Sequence, residues 1–225
     1  MSARAEIFAN IRRALEVTGK EAPRRHSVED RLEHAPRGVI PARGQGDAAT
    51  RLAIFHDEAE RVSASVTEVD TAGHVPAAIA TYLRERNLPA RLRYGSDAYL
   101  AAMPWASTEL DIGNGRALPS DLVCLSHAFG GVAETGTLVL ASGPDNPTTL
   151  NFLPDTHIVV LQAKDIAGDY ETIWQKLRVA YGKGLMPRAV NFITGPSRSA
   201  DIGHSLLLGA HGPRTLHIVI VTGEV

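Results

Sequence analysis

The spacing of apolar and polar positions along this chain differs before and after residue 48. Near the N-terminus, apolar residues recur at three- and four-residue spacing, most cleanly from Ile7 to Leu15. This spacing predicts an amphipathic helix with Ser2 as its N-cap. So short a helix is unstable alone, so its apolar stripe is expected to dock on the body of the protein or on a partner. The following segment, up to residue 48, is rich in Pro, Gly, Arg and Glu. We expect it to be disordered or draped over a functional surface.

From residue 50 onward, short apolar runs alternate with segments of helical spacing, which predicts an α/β fold with a mostly parallel sheet and helices on both faces. The chain is therefore divided into an arm, residues 1–48, and a single α/β domain, residues 49–225. Helical spacing occurs at 52–62, 74–86, 97–103 and 169–181, and strand-like runs occur at 65–69, 91–94, 121–126, 137–142, 156–161, 189–193 and 216–221.

Composition excludes several classes of protein. The formal net charge is −2, so bulk electrostatics gives no reason to expect nucleic acid or an anionic membrane as partner. No apolar run is long enough to span a bilayer, and the first residues lack the order of a signal peptide, so a cytoplasmic protein is expected. Cys124 is the only cysteine. It can form no disulfide within the chain and cannot hold an iron–sulfur cluster by itself, and we interpret it as a core residue. No cofactor is expected in this chain.

The glycine-rich segment at 130–143, GGVAETGTLVLASG, lies between two strand-like runs and carries one carboxylate, Glu134. Such glycines are typical of a backbone that turns through positive φ or approaches another group closely. We therefore take Glu134 as a candidate catalytic residue. The alternative is a surface hairpin turn with a solvated Glu134. The ligand-binding candidates in this turn are Gly130, Gly131, Thr135 and Gly136.

A second glycine-containing turn follows the strand-like run at 189–193. Its order of strand, turn and predicted helix start would place backbone N–H groups at a positive helix end, where a phosphate or carboxylate binds well. The alternative is that Ser197 or Ser199 is only the N-cap of the predicted helix, and that the charge of Asp201 only interacts favourably with the positive end of the helix dipole. The anion-binding candidates are Thr194, Gly195, Ser197, Arg198, Ser199 and Asp201.

His211 lies in a Gly-Ala-His-Gly-Pro turn and is the second candidate catalytic residue, as a titratable acid–base group. His127 could face the same pocket as Glu134, whereas His157 and His217 lie in strand-like runs and are expected to be packed or at an edge. Asp201, His204 and His211 have no recognised metal-ligand spacing, so no metal site is predicted.

The two turns are expected to face one cleft at the carboxyl ends of adjacent or near-adjacent strands, with His211 close by. This expectation follows because both turns come after strands of what should be one parallel sheet, and because ligands bind beyond the carboxyl ends of such strands.

Several ordered segments of the chain share a pattern with a known family: Gly131–Leu138, Leu150–Pro154 with His157-Ile158, Thr194–Ile202, Leu208–Pro213 with Leu216-His217, and the N-terminal Ile11–Leu15. These segments resemble the LUD-domain family. The resemblance is dense from about residue 121 to 221 and thin between 19 and 113, and the chain departs from the family at Gly203, where an acidic residue is expected.

The resemblance implies a Rossmann-like fold of the NagB/ribose-5-phosphate isomerase/CoA-transferase kind. It also implies a cytoplasmic role beside iron–sulfur oxidoreductase subunits that oxidise lactate to pyruvate. The family supplies no established catalytic residues, so the residues named above stay candidates.

Three functions are compatible with these observations. In the first, the chain is a component of a lactate-oxidising assembly and binds a small carboxylate or a phosphate-bearing ligand. In the second, it is an independent enzyme of the CoA-transferase or sugar-phosphate isomerase type, with Glu134 as nucleophile or base. In the third, it is a scaffold whose N-terminal arm docks on a partner. The chain lacks a Gly-x-Gly-x-x-Gly fingerprint after a strand, which argues against a standalone nicotinamide dehydrogenase.

Overall fold

The computed structural model describes the backbone of residues 2–202 and 205–223 and the side chains of residues 2–198 and 209–223. Gly203 and His204, which were discussed above, lie outside the described residues. The chain forms two compact units, Met1–Val39 and Ile40–Val225.

The first unit contains two helices, α1 (Ala3–Ala14) and α2 (Ala22–His34), neither of which has a buried residue. The predicted N-terminal helix is confirmed, with the Ser2 hydroxyl accepting a hydrogen bond from the Ala5 N–H at 3.4 Å. Helix α2 corrects the expectation of an irregular connection. Its Pro23 lies in the first turn, where proline is compatible with a helix, so proline content alone was a poor sign of a linker.

The second unit begins nine residues earlier than the predicted domain boundary at residue 49, because residues 40–48 pack with it. A 3₁₀ turn at Ala42–Gly44 buries Gly44, and the Gln45 side chain donates a hydrogen bond to Asp169 at 3.1 Å. The helices of this unit are α3 (Ala48–Arg61), α4 (Val75–Glu85), α5 (Ala98–Ala101), α6 (Thr148–Phe152) and α7 (Tyr170–Tyr181). In the part of the chain that the structure describes, no helix is long and apolar enough to cross a membrane.

The central sheet has six parallel strands in the order β1-β12-β7-β4-β2-β3, which confirms the predicted α/β class. One face packs against α4 and α5 through residues such as Ile79 and Leu100, and the other face packs against α3. Because both faces are covered, the central strands β7 and β12 are buried along nearly their whole length and are mostly apolar. The strands of this sheet are β1 (Ser65–Val69), β2 (Arg91–Tyr94), β3 (Asp111–Asn114), β4 (Val123–His127), β7 (Thr156–Gln162) and β12 (Thr215–Val221).

A second sheet lies against the central one and corrects the expectation of a single parallel sheet. Its order is β8-β5-β6-β9, and β6 is antiparallel to both of its neighbours. Leu138 and Leu140 belong to the core shared with α3 and the central sheet, whereas Val139 packs with α7. Gly136 allows the chain to turn back from β5 into the antiparallel β6, because its φ of +61° permits a tight turn. The strands are β5 (Gly130–Val132), β6 (Thr137–Ala141), β8 (Ile166–Ala167) and β9 (Val190–Ile193).

A β-hairpin replaces the helix start that was predicted after residue 197. Strands β10 (Arg198–Ile202) and β11 (Ser205–Leu208) pair antiparallel, with Arg198 opposite Leu208. The prediction of an anion-binding site at a helix N-terminus is therefore wrong. Serines after a turn resemble an N-cap, but the apolar run at 206–208 provides a strand partner instead. The side chains of Ser199 and Asp201, two predicted anion-binding residues, lie outside the described ones.

We expect that removing residues 1–39 leaves a folded protein with nearly unchanged thermal stability, because the second compact unit begins at Ile40. Removing residues 1–48 instead should lower the melting temperature clearly, because the contacts of Gly44 and Gln45 are lost. Thermal unfolding of the two truncated proteins, followed by circular dichroism, tests this. Equal melting temperatures would show that residues 40–48 contribute nothing to the fold.

Candidate functional site

A cavity of about 240 Å³ lies near the amino ends of β7 and β12, where His157 and Leu216 are the second residues of their strands. Helix α6 contributes Asn151 and Phe152. The turn after β9 and the turn before β12 complete the wall. Its lining residues are Asn151, Phe152, His157, Phe192, Ile193, Gly195, Pro196, Ser197, Arg198, His211, Gly212, Pro213 and Leu216.

The floor of this cavity carries a buried chain of three polar side chains, Ser126, Asn151 and His157, each 2% exposed or less. The Ser126 hydroxyl donates to Asn151 Oδ1 at 3.1 Å, and its oxygen lies 2.9 Å from His157 Nε2. Among the described residues, His157 Nδ1 and Asn151 Nδ2 are buried without a hydrogen-bond partner. Both atoms belong to residues that line the cavity, so they are candidates for polar contacts in this part of the fold.

Burial dominates the electrostatics of this floor. It lowers the pKa of His157 to about 3, because the apolar surroundings disfavour the charged imidazolium. His157 is therefore neutral at physiological pH. It can accept or donate a hydrogen bond, but it is a poor general base.

The rim of the cavity brings together four of the predicted site residues: Gly195, Ser197, Arg198 and His211. The two turns that carry them are joined by a hydrogen bond from the Ser197 N–H to the Pro213 carbonyl at 2.8 Å. Arg198 is exposed and donates through Nη2 to the Val62 carbonyl at 2.7 Å. The rim thus offers a cation and a hydroxyl, as expected for an anion contact.

Glu134, the predicted catalytic carboxylate, lies elsewhere. It is in a 3₁₀ turn, Ala133–Thr135, its side chain is 5% exposed, and Arg43 Nε lies 3.9 Å from its Oε2. It does not line the cavity described above. A Cβ on Gly44 would lie 2.8 Å from the Glu134 Cβ, so the segment around Gly44 covers this carboxylate closely.

The two glycine-rich turns do approach each other, through a cluster of four hydroxyl groups. Thr137 Oγ1 lies 2.7 Å from the Oγ1 atoms of both Thr135 and Thr194, and 3.0 Å from the Tyr170 hydroxyl. The contact arises because the start of β6 pairs with the end of β9. The expected common cleft at the carboxyl ends of parallel strands is not found, however. His211 and Ser197 face the cavity near the amino ends, whereas Glu134 faces Arg43.

Two glycines of the first turn have a packing role. A Cβ on Gly131 would lie 2.9 Å from Phe55 and 3.0 Å from Leu161, so Gly131 lets the second sheet approach the core. Gly130 is likewise buried in β5, where a Cβ would lie 3.0 Å from Ile173. Close approach was predicted for these residues, but the neighbour is the protein's own core.

His127 lies at the carboxyl end of β4 in a different environment from Glu134. Its Nδ1 is 3.2 Å from Asp97 Oδ2, its Nε2 is 3.3 Å from the Gln162 amide nitrogen, and its ring stacks on Tyr99. A separate cavity of about 220 Å³ opens beside it and is lined partly by Asp145 and Asp165. Within the described residues, no group of three or more His, Cys, Asp or Glu side chains could hold a metal ion.

Sequence reasoning missed the floor of the cavity. Ser126 and His157 occur inside apolar strands, and Asn151 lies next to the apolar Leu150 and Phe152. The available signal was the placement of hydrogen-bonding side chains at positions expected to be buried, since such groups need partners. Cys124, on the same strand as Ser126, is fully buried as expected, and burial raises the pKa of its thiol to about 12.

The geometry defines an α/β protein with a cavity of about 240 Å³ near the amino ends of its central parallel strands, beside the turns that precede and follow the hairpin. The LUD domain model matches residues 116–221, which places this part of the chain in the LUD-domain family. The region resembles lactate utilization protein C of Geobacillus sp. (strain WCH70), at 40% identity over 92 residues, covering 40% of this chain and 38% of that protein. It also resembles lactate utilization protein C of Exiguobacterium sp. (strain ATCC BAA-1283 / AT1b), at 32% identity over 118 residues, covering 52% and 51%.

The matched region thus spans between about two fifths and one half of the length of these relatives. Among solved structures, the fold is similar to that of a DUF162 family protein from Deinococcus radiodurans, with a TM-score of 0.59 and 22% identity. The match covers 79% of this chain and 99% of that one.

Proposed function

We propose that the chain takes part in lactate utilization as a ligand-binding component, with iron–sulfur subunits of a partner oxidising lactate to pyruvate in the cytoplasm. The observation that carries this proposal is the convergence of four separate family motifs on one cavity. Segments 150–154, 157–158, 194–202 and 208–213 each contribute lining residues. The similarity to two proteins named for lactate utilization supports a role in that process.

The ligand of this cavity is a small carboxylate or a phosphate-bearing molecule. Arg198 and Ser197 lie at the rim, where a guanidinium and a hydroxyl can bind an oxyanion. The redox step is assigned to partners because iron–sulfur clusters need several thiolates, and this chain has one cysteine, which is buried.

We expect that the purified chain alone does not oxidise lactate. With lactate and an artificial electron acceptor, reduction of the acceptor should not exceed that of a protein-free blank. In a bacterial strain that lacks its own lactate utilization protein C, expression of this chain should restore growth on lactate. Steady turnover by the chain alone would contradict the accessory role, and failure to restore growth would contradict the role in lactate utilization.

A second candidate function is an independent enzyme of the CoA-transferase or isomerase type that uses Glu134. The observation in its favour is the burial of this carboxylate with Arg43 Nε at 3.9 Å, since a carboxylate held inside the fold could act as nucleophile or base.

For this enzyme, we expect that Glu134→Gln changes ligand binding or activity but leaves thermal stability nearly unchanged. The amide keeps the shape of the side chain, and the weak contact to the largely exposed Arg43 contributes less than about 1 kcal/mol. Glu109→Gln, which removes the same charge from an exposed position, is the matched control. Binding and turnover equal to wild type in both variants would exclude a catalytic Glu134.

A scaffold function is the third candidate, and α1 is the observation that favours it. The apolar side chains of its stripe are largely exposed: Ile7 58%, Phe8 43%, Ile11 46% and Leu15 63%. If this stripe docks on a partner, removal of residues 1–39 weakens association with that partner, or self-association, while the folded second unit keeps its ligand binding.

A further inference from the structure

We propose that the cavity beside His127 is a second ligand site, separate from the cavity near the amino ends, and that it binds a small organic amine in its ammonium form. The cavity has a volume of about 220 Å³, and its wall includes Asp97, His127 and Asp165. Its position in the sheet, its fixed imidazole, the charge of its wall and the aromatic rings in that wall support such a ligand. This site is independent of the role in lactate utilization.

The cavity lies where the chain order of the central sheet reverses. From β2 the chain passes to β3 at one edge, whereas β4 leads to β7 and β12 on the other side. Because β2 and β4 are neighbours, their carboxyl ends border a topological switch point, which is where open α/β sheets bind ligands. Asp97 is the N-cap of α5, which follows β2, and His127 is the last residue of β4. Both residues line the cavity.

The imidazole of His127 is held through both ring nitrogens. Its Nδ1 lies 3.2 Å from Asp97 Oδ2, and the other oxygen of that carboxylate accepts the Leu100 N–H at 2.8 Å. Its Nε2 lies 3.3 Å from the amide nitrogen of Gln162, which can donate to a neutral ring. These partners assign the ring proton to Nδ1. The His127 side chain is 18% exposed, so part of the fixed ring can contact a ligand in the cavity.

The wall of the cavity carries negative charge. Its carboxylates are those of Asp97, Asp145 and Asp165, and among the described residues no Lys or Arg lines it. Lys176 Nζ lies 3.4 Å from Asp165 Oδ1 and offsets one of these charges. Burial opposes the charge of Asp97, but the hydrogen bonds from His127 and the backbone lower its pKa, so it is ionised at neutral pH. An anion such as lactate would meet like charge here, whereas a cation is attracted.

The wall suits an organic cation better than a metal ion. Within the described residues, no group of three or more His, Cys, Asp or Glu side chains could hold a metal ion, so these carboxylates do not converge on one small ion. Phe129 and Tyr181 line the cavity with their ring centroids 6.3 Å apart, and aromatic faces attract ammonium groups. The volume is below the roughly 300–1,000 Å³ of pockets for drug-sized ligands, which limits the ligand to a small amine.

Asn146 adds an acceptor to the same wall. It is 4% exposed, and its Nδ2 donates to the Ala141 carbonyl at 3.3 Å. Its Oδ1 has no hydrogen-bond partner among the described residues. This oxygen belongs to a residue that lines the cavity, so it is a candidate acceptor for a polar contact with an ammonium N–H.

The test is isothermal titration calorimetry of the full chain with 1,4-diaminobutane, 1,4-butanediol and magnesium chloride at one ionic strength. The diamine and the diol share a carbon chain and differ in the charge of their ends. We expect the diamine to bind at least tenfold more tightly than the diol and than Mg²⁺. Equal binding of diamine and diol would show that charge does not select the ligand. Equal binding of Mg²⁺ would reduce the effect to a general attraction of cations, and absence of diamine binding would refute the site.

A pair of matched variants locates the binding. Asp145 is exposed, and its charge acts together with burial to raise the pKa of Tyr181 in the same wall. Asp145→Asn should therefore weaken binding of 1,4-diaminobutane at least fivefold. Asp57→Asn is the control, because it removes the same charge from an exposed position that does not line the cavity. Equal affinities in the two variants would contradict the location, and the ligand series on the unmodified chain decides the matter even where Asp145→Asn does not fold.

Discussion

Replacing Gly136 by Ala should lower the free energy of unfolding by about 2–5 kcal/mol. Gly136 has a φ of +61°, where a side chain costs conformational energy. In addition, its Cβ would lie 2.4 Å from the Ala59 nitrogen and 2.6 Å from the Glu58 carbonyl carbon. Both atoms belong to the backbone of α3, which cannot move aside as a flexible side chain could. Chemical denaturation monitored by tryptophan fluorescence measures the loss.

Gly184→Ala is the control for this prediction. Gly184 has a similar φ of +75°, but nothing lies within 4 Å of where its Cβ would be. The control should therefore lose only the conformational contribution, about 1–2 kcal/mol. The difference between the two variants measures how tightly α3 packs on the turn at Gly136. Equal losses would show that this packing is loose enough to admit a methyl group.

Elements with strong apolar periodicity were predictable from the sequence. The stripes of α3, α4 and α7, and the runs that became β7 and β12, are each long enough to distinguish a helix from a buried strand. Five short strands were not predicted: β3, β5, β8, β10 and β11. Their apolar patterns are too short to be distinctive, and they are strands because neighbouring strands pair with them.

The direction of pairing was less predictable than the strands themselves. β6 and β9 resemble strands of a parallel sheet, yet they pair antiparallel with each other in the second sheet. Pairing depends on partners about fifty residues away, and local pattern carries no information about them. For the same reason, the approach of Thr137 to Thr194 follows from a register that the sequence alone did not provide.

Only part of the candidate site could be predicted from the sequence. Gly195, Ser197, Arg198 and His211 were singled out because turns rich in glycine and hydroxyl groups are typical of anion contacts, and the structure does bring them to one cavity. The floor was missed because its residues come from two strands and a short helix and meet only in the folded protein. Glu134 drew attention as a lone carboxylate among glycines, but those glycines mainly allow close packing.

Acidification from pH 7 to pH 5 should destabilise the protein through two buried histidines, His157 and His217. Burial lowers their pKa values to about 3 and about 4, from an ordinary value of 6.5. Between pH 6.5 and these lowered pKa values, the two histidines are protonated in the unfolded chain but not in the folded chain. Stability is therefore fully present above pH 6.5 and is lost as the pH falls toward the folded-state pKa. At pH 5 the loss is roughly 2 kcal/mol for each histidine.

Two variants separate these histidines from other titrating groups. His217→Gln removes one of the two buried histidines. The free energy of unfolding should then fall less steeply between pH 6.5 and 5, because unfolding of the variant takes up nearly one proton fewer than unfolding of the wild type. His56→Gln should act in the opposite direction and at higher pH. Although partial burial opposes it, the hydrogen bond to Glu68 and the charges of Glu60 and Glu68 raise the pKa of His56. The stability that this charge contributes is fully present below pH 6.5 and is lost as the pH rises through the raised folded-state pKa, so the variant should change the slope near and above pH 6.5 and leave it nearly unchanged toward pH 5. Urea denaturation at half-unit pH intervals measures the slopes, and a His217→Gln slope identical to wild type would show that His217 is protonated in the folded protein as readily as in the unfolded chain.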